Sequence, residues 1–315
     1  MHVVTGGAGF IGSHVVRALN ARGLDEILVV DDLSRGDRFR NLAGARIADY
    51  LDRDEFRRAI ERDALPGLRA ILHQGACVDT TATDGRAMLE NNFAYSRVLL
   101  HYALRKEIPL VYASSAAVYG AGRRSQPVPE NENPANVYAF SKLLFDQYVR
   151  RLLPQAKATL AGLRYFNVYG PGEAHKGRMA SMVYRIYCQL KATGKARLFE
   201  GTDGFGDGEQ RRDFVFVEDA AEANLFFLDG PARRGVFNVG TGESRSFNEV
   251  ARAIIRRLGR GKIEYIPFPA PLRGKYQSFT EADLAGLRAA GCGLAFTSLE
   301  EGIARSWQAW EEESL

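Results

Sequence analysis

Tyr138 and Lys142 stand four residues apart in Asn136-Val137-Tyr138-Ala139-Phe140-Ser141-Lys142, a spacing that puts both on one face of a helix. A phenol titrates near about 10 and is a poor base at neutral pH, so a cation one turn away is what would favour the phenolate. Upstream lies Tyr112-Ala113-Ser114-Ser115-Ala116-Ala117-Val118-Tyr119-Gly120. It follows an apolar run with strand character, so Ser115 would emerge at the carboxyl end of a strand, where doubly wound sheets bind ligands. Its hydroxyl could hold the substrate oxygen whose proton Tyr138 removes. Taken singly, a Tyr/Lys pair or a serine turn is usually structural; their combination with a third motif gives them chemical weight.

That motif opens the chain. Val3-Val4-Thr5-Gly6-Gly7-Ala8-Gly9-Phe10-Ile11-Gly12 places Gly6, Gly9 and Gly12 at intervals of three between a predicted strand and a predicted helix. Glycine lets the main chain turn tightly and approach a pyrophosphate, while the helix N-terminus offers free N–H groups and a positive dipole. Strand, helix and a later acidic residue agree, so a dinucleotide site is expected. The second strand ends in Asp31-Asp32, where a carboxylate commonly receives the adenosine ribose hydroxyls, which taken alone favours NAD. Arg35, Arg38 and Arg53 follow, and guanidinium forks suit a ribose phosphate. NADP is therefore an expectation beside NAD, and a solvated arginine face is the alternative.

Elements that would position these groups alternate along the first two thirds of the chain. Strand candidates are His2–Thr5, Glu26–Asp31, Arg46–Ala48, Ala70–His73, Leu110–Ser114 and Thr159–Arg164; helix candidates are Phe10–Arg22, Asp54–Arg62, Gly85–Arg105 and Val137–Leu153. This is the rhythm of βαβ units. The expected fold is α/β, a Rossmann-type doubly wound parallel sheet over residues 1–170. A smaller C-terminal α/β substrate lobe is expected over 171–315, with some elements returning to the first domain. In that lobe helices are expected near Met179–Ala192, Asn248–Leu258, Glu281–Ala290 and Leu299–Glu311, and short strands at Phe214–Val217, Val236–Val239 and Ile263–Ile266.

Composition fits an enzyme of this kind. The 315 residues are 46% hydrophobic and 25% charged, with a formal net charge of +4 and no basic run, so a small anionic ligand is favoured over nucleic acid. Cys77, Cys188 and Cys292 are far apart, which suggests neither a disulfide framework nor a zinc site. No apolar run approaches ~18 residues and no leader-like segment opens the chain, so no membrane partner and a cytoplasmic location are expected.

With these motifs in place the chain resembles the extended short-chain dehydrogenase/reductases, the NAD-dependent epimerase/dehydratase family: T-G-x-x-G-x-x-G, S-S-x-x-V-Y-G, Y-x-x-x-K and a late Arg211–Asp219 segment, in order along the chain. A narrower set resembles the family's ADP-heptose 6-epimerase branch. It comprises Ile47–Tyr50, Gln74–Cys77, Tyr165–Pro171, His175–Ser181, Leu198–Gly201, Glu264–Pro269 and Gly274–Gln277. The resemblance implies an isomerase that interconverts ADP-D-glycero-D-manno-heptose and ADP-L-glycero-D-manno-heptose at C6″, for the lipopolysaccharide core, by transient oxidation with tightly held NADP. It implies a homo-oligomer, a pentamer.

The resemblance also nominates residues. Phe10, Ile11, Asp31, Asp32, Arg38, Arg53, Gln74, Gly75, Ala76, Cys77, Asn91, Lys142, Val168 and Lys176 would join the glycines on the cofactor. Ser115, Asn167, Arg178, Arg185, Phe199, Glu200, Gly201, Thr202, Arg212 and Tyr276 would line the substrate. Tyr138 and Lys176 would be the two acid/base groups; a loop lysine that merely touches phosphate is the alternative for Lys176. Two features depart from the family's pattern: arginines at 178 and 185 replace an expected hydroxyl residue and histidine, and Asp203–Gln210 reads as a longer loop.

A UDP-hexose 4-epimerase shares the Ser/Tyr/Lys set and remains open. A dehydratase would need an acidic pair where Ala116-Ala117 stands. A non-catalytic dinucleotide-binding protein would tend to have lost the tyrosine or the lysine.

Overall fold

The computed structural model describes residues 1–34, 37–273 and 276–313; the expectations at Arg35 and at Gly274-Lys275 lie outside them. Along the chain run β1 (His2–Thr5), α1 (Phe10–Ala21), β2 (Ile27–Asp31), β3 (Asp49–Asp52), α2 (Arg53–Glu61), β4 (Ala70–His73), α3 (Gly85–Leu89), α4 (Tyr95–Lys106), β5 (Leu110–Ser115), α5 (Val137–Leu152) and β6 (Leu160–Tyr165). Then come β7 (Asn167–Tyr169), α6 (Met182–Thr193), β8 (Lys195–Phe199), β9 (Arg211–Phe216), α7 (Val217–Phe226), β10 (Arg234–Val239), β11 (Ser244–Ser246), α8 (Phe247–Leu258), β12 (Lys262–Ile266), α9 (Ala285–Ala289) and α10 (Leu299–Glu313).

Seven strands form one parallel sheet in the order β10-β6-β5-β4-β1-β2-β3. Its strands are near-continuous apolar runs because helices cover both faces. One face packs on α1 and α7 through Val15, Val16, Leu19, Ala220, Ala221 and Leu225. The other packs on α2, α4 and α5 through Phe56, Ile60, Leu99, Leu100, Phe145 and Val149. Two small sheets, β11-β9-β7 and β12-β8, complete the C-terminal part with α6, α8 and α10. Its own core gathers around the fully buried Trp310, with Tyr184, Tyr187, Phe216 and Ile254.

Strands β7, β8 and β11 were not among the expected elements, and three further elements differ from expectation for a visible reason. The third strand begins at Asp49, not Arg46, because the Asn20 amide takes both the N–H and the C=O of Arg46 at 2.8 Å, so no ladder can form there. The long helix expected over Gly85–Arg105 is interrupted by a wide π turn at Glu90–Ala94, which turns Asn91 and Asn92 toward the end of β4. Helix α7 was not expected: only its first residue, Val217, fell in a predicted element, the strand Phe214–Val217. It is buried around most of its circumference, so it presents no polar stripe for a helical period to reveal.

Candidate active site

The glycine turn is built to bring main chain against a ligand. Gly6 sits at φ +66, and a Cβ there would fall 2.5 Å from the Gly75 nitrogen; one on Gly12 would fall 2.0 Å from the Gly6 carbonyl oxygen. Only glycine permits that closeness. Helix α1 starts at Phe10 with no side-chain cap on its Gly9 end, leaving first-turn N–H groups available to an anion. The fit to a dinucleotide pyrophosphate is therefore good. Phe10 and Ile11 pack into the core behind the turn.

Asp31 does more than await a ribose. Its Oδ2 accepts the Ala8 N–H at 2.8 Å and its Oδ1 accepts the Asp32 N–H at 2.7 Å, so the carboxylate braces the turn itself. Burial pushes its pKa up against those hydrogen bonds. Arg38 approaches the same Oδ1 at 3.3 Å. Asp32 accepts the Ser34 N–H, and that capping, aided by the nearby Arg53 and Arg38 charges, holds it low. Arg53 donates to the Asn91 carbonyl oxygen at 2.5 Å. Two guanidinium groups thus flank the pair of aspartates at the end of β2, the place where the adenosine ribose of a dinucleotide lies in such folds.

Across the sheet, the segment after β4 closes the cleft. Gly75 donates to the Thr5 hydroxyl at 3.2 Å, and the Asn92 side chain takes both the Cys77 N–H and its C=O; Ala76 lies between, half-buried. The Gln74 side chain, in contrast, is committed to Asn224 and Tyr165, so only its main chain faces the glycines. Ser115 ends β5 and caps the following turn, its Oγ accepting the Ala117 N–H at 3.1 Å. The Tyr138 phenol lies near the same hydroxyl. Burial raises the phenol and Ser115 partly offsets it. The Lys142 ammonium, expected to favour the phenolate together with a bound oxidised nicotinamide, is not directed at the phenol itself. Lys142 instead donates to the Ala113 carbonyl at 2.8 Å and is lowered to about 8 by burial, offset by Asp146.

A tight 3-10 segment, Ala174–Met179, carries Lys176. Its Nζ lies 4.6 Å from the centre of the Phe10 ring and 3.7 Å from the Glu173 carboxylate. Burial lowers the lysine pKa and Glu173 raises it. The loop is tied to the cofactor side of the molecule. His14 Nε2 is 2.9 Å from the Pro171 carbonyl, and the Asn41 amide bonds both the Ala8 carbonyl and His175 Nδ1. Val168, on β7, packs beside Ile11 in the core.

Farther out, Arg212 is buried without a carboxylate partner among the described residues. It donates to the Arg211 carbonyl at 3.0 Å and lies over the rings of Tyr276 (4.8 Å) and Phe247 (5.7 Å). Phe199 packs edge-on against Phe268 and Tyr276. A buried cation walled by aromatic rings is suited to an anion such as a diphosphate. Main chain of Glu200 and Gly201 is held by Ile266 and Asp207, and Thr202 is half-buried. The 203–210 loop is fixed by Asn248, which donates to the Asp207 carbonyl, and by a Ser278–Asp203 hydrogen bond. Asn167 reaches Thr280 at 3.4 Å.

Two expected substrate residues are not brought in. Arg178 is 70% exposed and pairs with Asp79 at 2.9 Å, and Arg185 is exposed on α6 with its guanidinium against the Met182 sulfur. Both have partners outside the aromatic pocket. Three side chains that no motif announced are Glu173, Asn41 and Asn92: Asn41 and Asn92 bridge segments far apart in sequence, and Glu173 closes its own loop.

The profile of the NAD dependent epimerase/dehydratase family matches residues 2–240. The chain belongs to that family. Its nicotinamide dinucleotide requirement follows, and the glycine turn is the part of the chain that serves it. Among relatives of this epimerase family, an ADP-L-glycero-D-manno-heptose-6-epimerase of Alkalilimnicola ehrlichii is 55% identical over 304 residues, covering 96% of this chain and 95% of that one. The crystal structure of the Helicobacter pylori ADP-L-glycero-D-manno-heptose-6-epimerase superimposes with a TM-score of 0.85 at 32% identity, covering 98% of this chain and 96% of that one. A Thermus thermophilus UDP-glucose 4-epimerase complex with NAD gives a TM-score of 0.75 at 29% identity, with 99% of each chain covered. Among the described residues no helix is long and apolar enough to cross a membrane.

Proposed function

We propose that this epimerase interconverts ADP-D-glycero-D-manno-heptose and ADP-L-glycero-D-manno-heptose at C6″, using tightly held NADP. Inverting an unactivated secondary alcohol needs oxidation, because the C–H at that carbon is not acidic. When bound, the nicotinamide supplies a reversible hydride acceptor, so the carbon can pass through a planar ketone and be reduced on its other face.

The chain's own groups would manage position and protons. Two configurations of the alcohol put its oxygen in two places, so two proton carriers are required. The observation that carries the reading is that a candidate for the second stands on a separate element: Lys176, half-buried and seated over Phe10 at the start of the dinucleotide helix. Tyr138, near Ser115, would exchange the proton in one configuration and Lys176 in the other. Arg212 would hold the diphosphate between Tyr276 and Phe247, with the Phe199–Thr202 stretch completing that wall. Arg38 and Arg53 would take the 2′-phosphate that distinguishes NADP from NAD. A cytoplasmic location and a homo-oligomer, a pentamer, accompany this reading.

Proton NMR of ADP-D-glycero-D-manno-heptose incubated with the purified protein tests it. The L-glycero isomer should accumulate to an equilibrium mixture with no cofactor added. No change in that sugar, with UDP-glucose turned over instead, would move the chain to the 4-epimerases.

A further inference from the structure

The carboxylate of Glu173 is fully buried and gathers three donors from both ends of one loop. Oε1 accepts the Gly170 N–H at 3.2 Å and the Ser181 hydroxyl at 2.8 Å; Oε2 accepts the Ser181 N–H at 2.5 Å and faces Lys176 Nζ at 3.7 Å. Gly170 precedes the lysine segment and Ser181 follows it. One side chain therefore closes the loop at its base and places an anion under its only inward-facing ammonium. Glu173 does not face the reacting atoms, since its oxygens are taken from every side.

We propose that Glu173 is the positioning residue for Lys176, clamping the ends of the loop that carries the lysine and supplying its counter-charge. The inference rests on the reading of Lys176 as an acid/base group. Its chemistry follows from the surroundings. Burial raises the Glu173 pKa, but two amide N–H groups and one hydroxyl donate to it and an ammonium faces it at 3.7 Å, surroundings that favour the carboxylate over the carboxylic acid. An ammonium desolvated among Phe10 and main chain would lose its proton readily if left alone. The facing carboxylate opposes that loss and leaves the lysine poised to give a proton and recover it.

Other charged and titratable groups around the pair are few. His175 and, through it, Arg38 lie on the cofactor side; Glu313 comes from α10, and Tyr184 and Cys188 from α6. Glu313 reinforces the loop, accepting the Gly172 N–H at 2.6 Å. None of these reaches the ammonium as closely as Glu173, whose charge and hydrogen bonds oppose its deprotonation.

The test uses Glu173→Gln, which keeps the side chain's shape and removes its charge. Lys176 reactivity toward acetic anhydride is followed against pH, with peptide mass spectrometry as the readout. The midpoint should fall by about one pH unit or more, since an opposite charge at this distance commonly contributes that much. The alkaline limb of the kcat profile should move the same way, with turnover down about tenfold and KM little changed. A labelling midpoint equal to the parent's overturns the inference. If Glu173→Gln yields no folded protein, Glu173→Asp draws the charge back by one methylene: its midpoint should fall part of the way, and an unchanged midpoint overturns the inference equally. Lys176→Met separates the two readings. Full turnover in that variant defeats the acid/base role of Lys176, whereas an inactive Lys176→Met beside an unshifted Glu173→Gln defeats only the role of Glu173.

Discussion

The Lys176 ammonium lies 4.6 Å from the centre of the Phe10 ring, so the lysine loop rests on the first residue of the dinucleotide helix. A cation over a ring is worth about 0.5–2 kcal/mol. Phe10→Leu keeps an apolar side chain in the core but removes the ring face. Turnover is expected to fall about three- to tenfold with cofactor still bound; equal rates would mean that the ring does not hold the lysine.

Ser115 ends β5 beside the Tyr138 phenol. Tyr138→Phe deletes the proton carrier and leaves the ring, so kcat should drop by about 10²–10⁴-fold, the usual contribution of general acid–base catalysis. Cofactor content, read by absorbance of the denatured supernatant, should not change. A variant with parental kcat removes Tyr138 from the chemistry.

Arg53 is held toward the aspartate pair by its 2.5 Å bond to Asn91. A charged hydrogen bond contributes about 1.5–3 kcal/mol, so Arg53→Ala should weaken NADP binding by about 10- to 100-fold and NAD binding far less. Calorimetric titration of both dinucleotides decides it: equal losses for the two would detach Arg53 from the 2′-phosphate.

Arg212 is a buried cation facing rings and one carbonyl. Burying an unpaired charge costs stability that an apolar side chain of similar length does not. Arg212→Met should therefore raise the urea midpoint while raising KM for the nucleotide sugar about tenfold or more. A lower midpoint with unchanged KM would make the arginine a structural prop.

Burial lowers His73 to about 3 and His14 to about 4, so both stay neutral in the fold where an unfolded chain would bind protons below about 6.5. Stability from this source is complete above about pH 6.5 and is lost as pH falls toward those folded values. Between pH 6 and pH 5 the two together should remove roughly 2–3 kcal/mol. The Asp213 and Asp219 carboxyls, raised by burial, act in the opposite sense at lower pH. His73→Gln can still bond Thr5 and Ser96, the partners of the ring, and should flatten the slope of urea midpoint against pH by about half. An unchanged slope would acquit His73.

What could be read from the sequence was whatever depends on neighbours in the chain. The glycine turn, the Tyr138/Lys142 pair and the placement of Ser115 are local spacings, and the sheet order follows from alternating elements. The family profile and the relatives agree with that reading of fold and reaction class. What could not be read are side-chain bridges that exist only once the chain has folded. Glu173 looks like one more loop acid until Gly170 and Ser181 close on it. Arg178 reads as a residue of the substrate pocket until Asp79, almost a hundred residues earlier, pairs with it. Asn20 moved a strand by three residues by capturing one peptide unit.

The outermost strand on one side of the large sheet, β10, pairs with β6 only after α6 through α7 have been laid down between them. A nascent chain leaving the ribosome must therefore carry an open edge along Leu160–Tyr165 until Arg234–Val239 has been synthesised. An unpaired apolar edge invites association with other chains. Translation stalled between those points would leave a sticky intermediate, which makes this stretch the natural place for a chaperone to be needed.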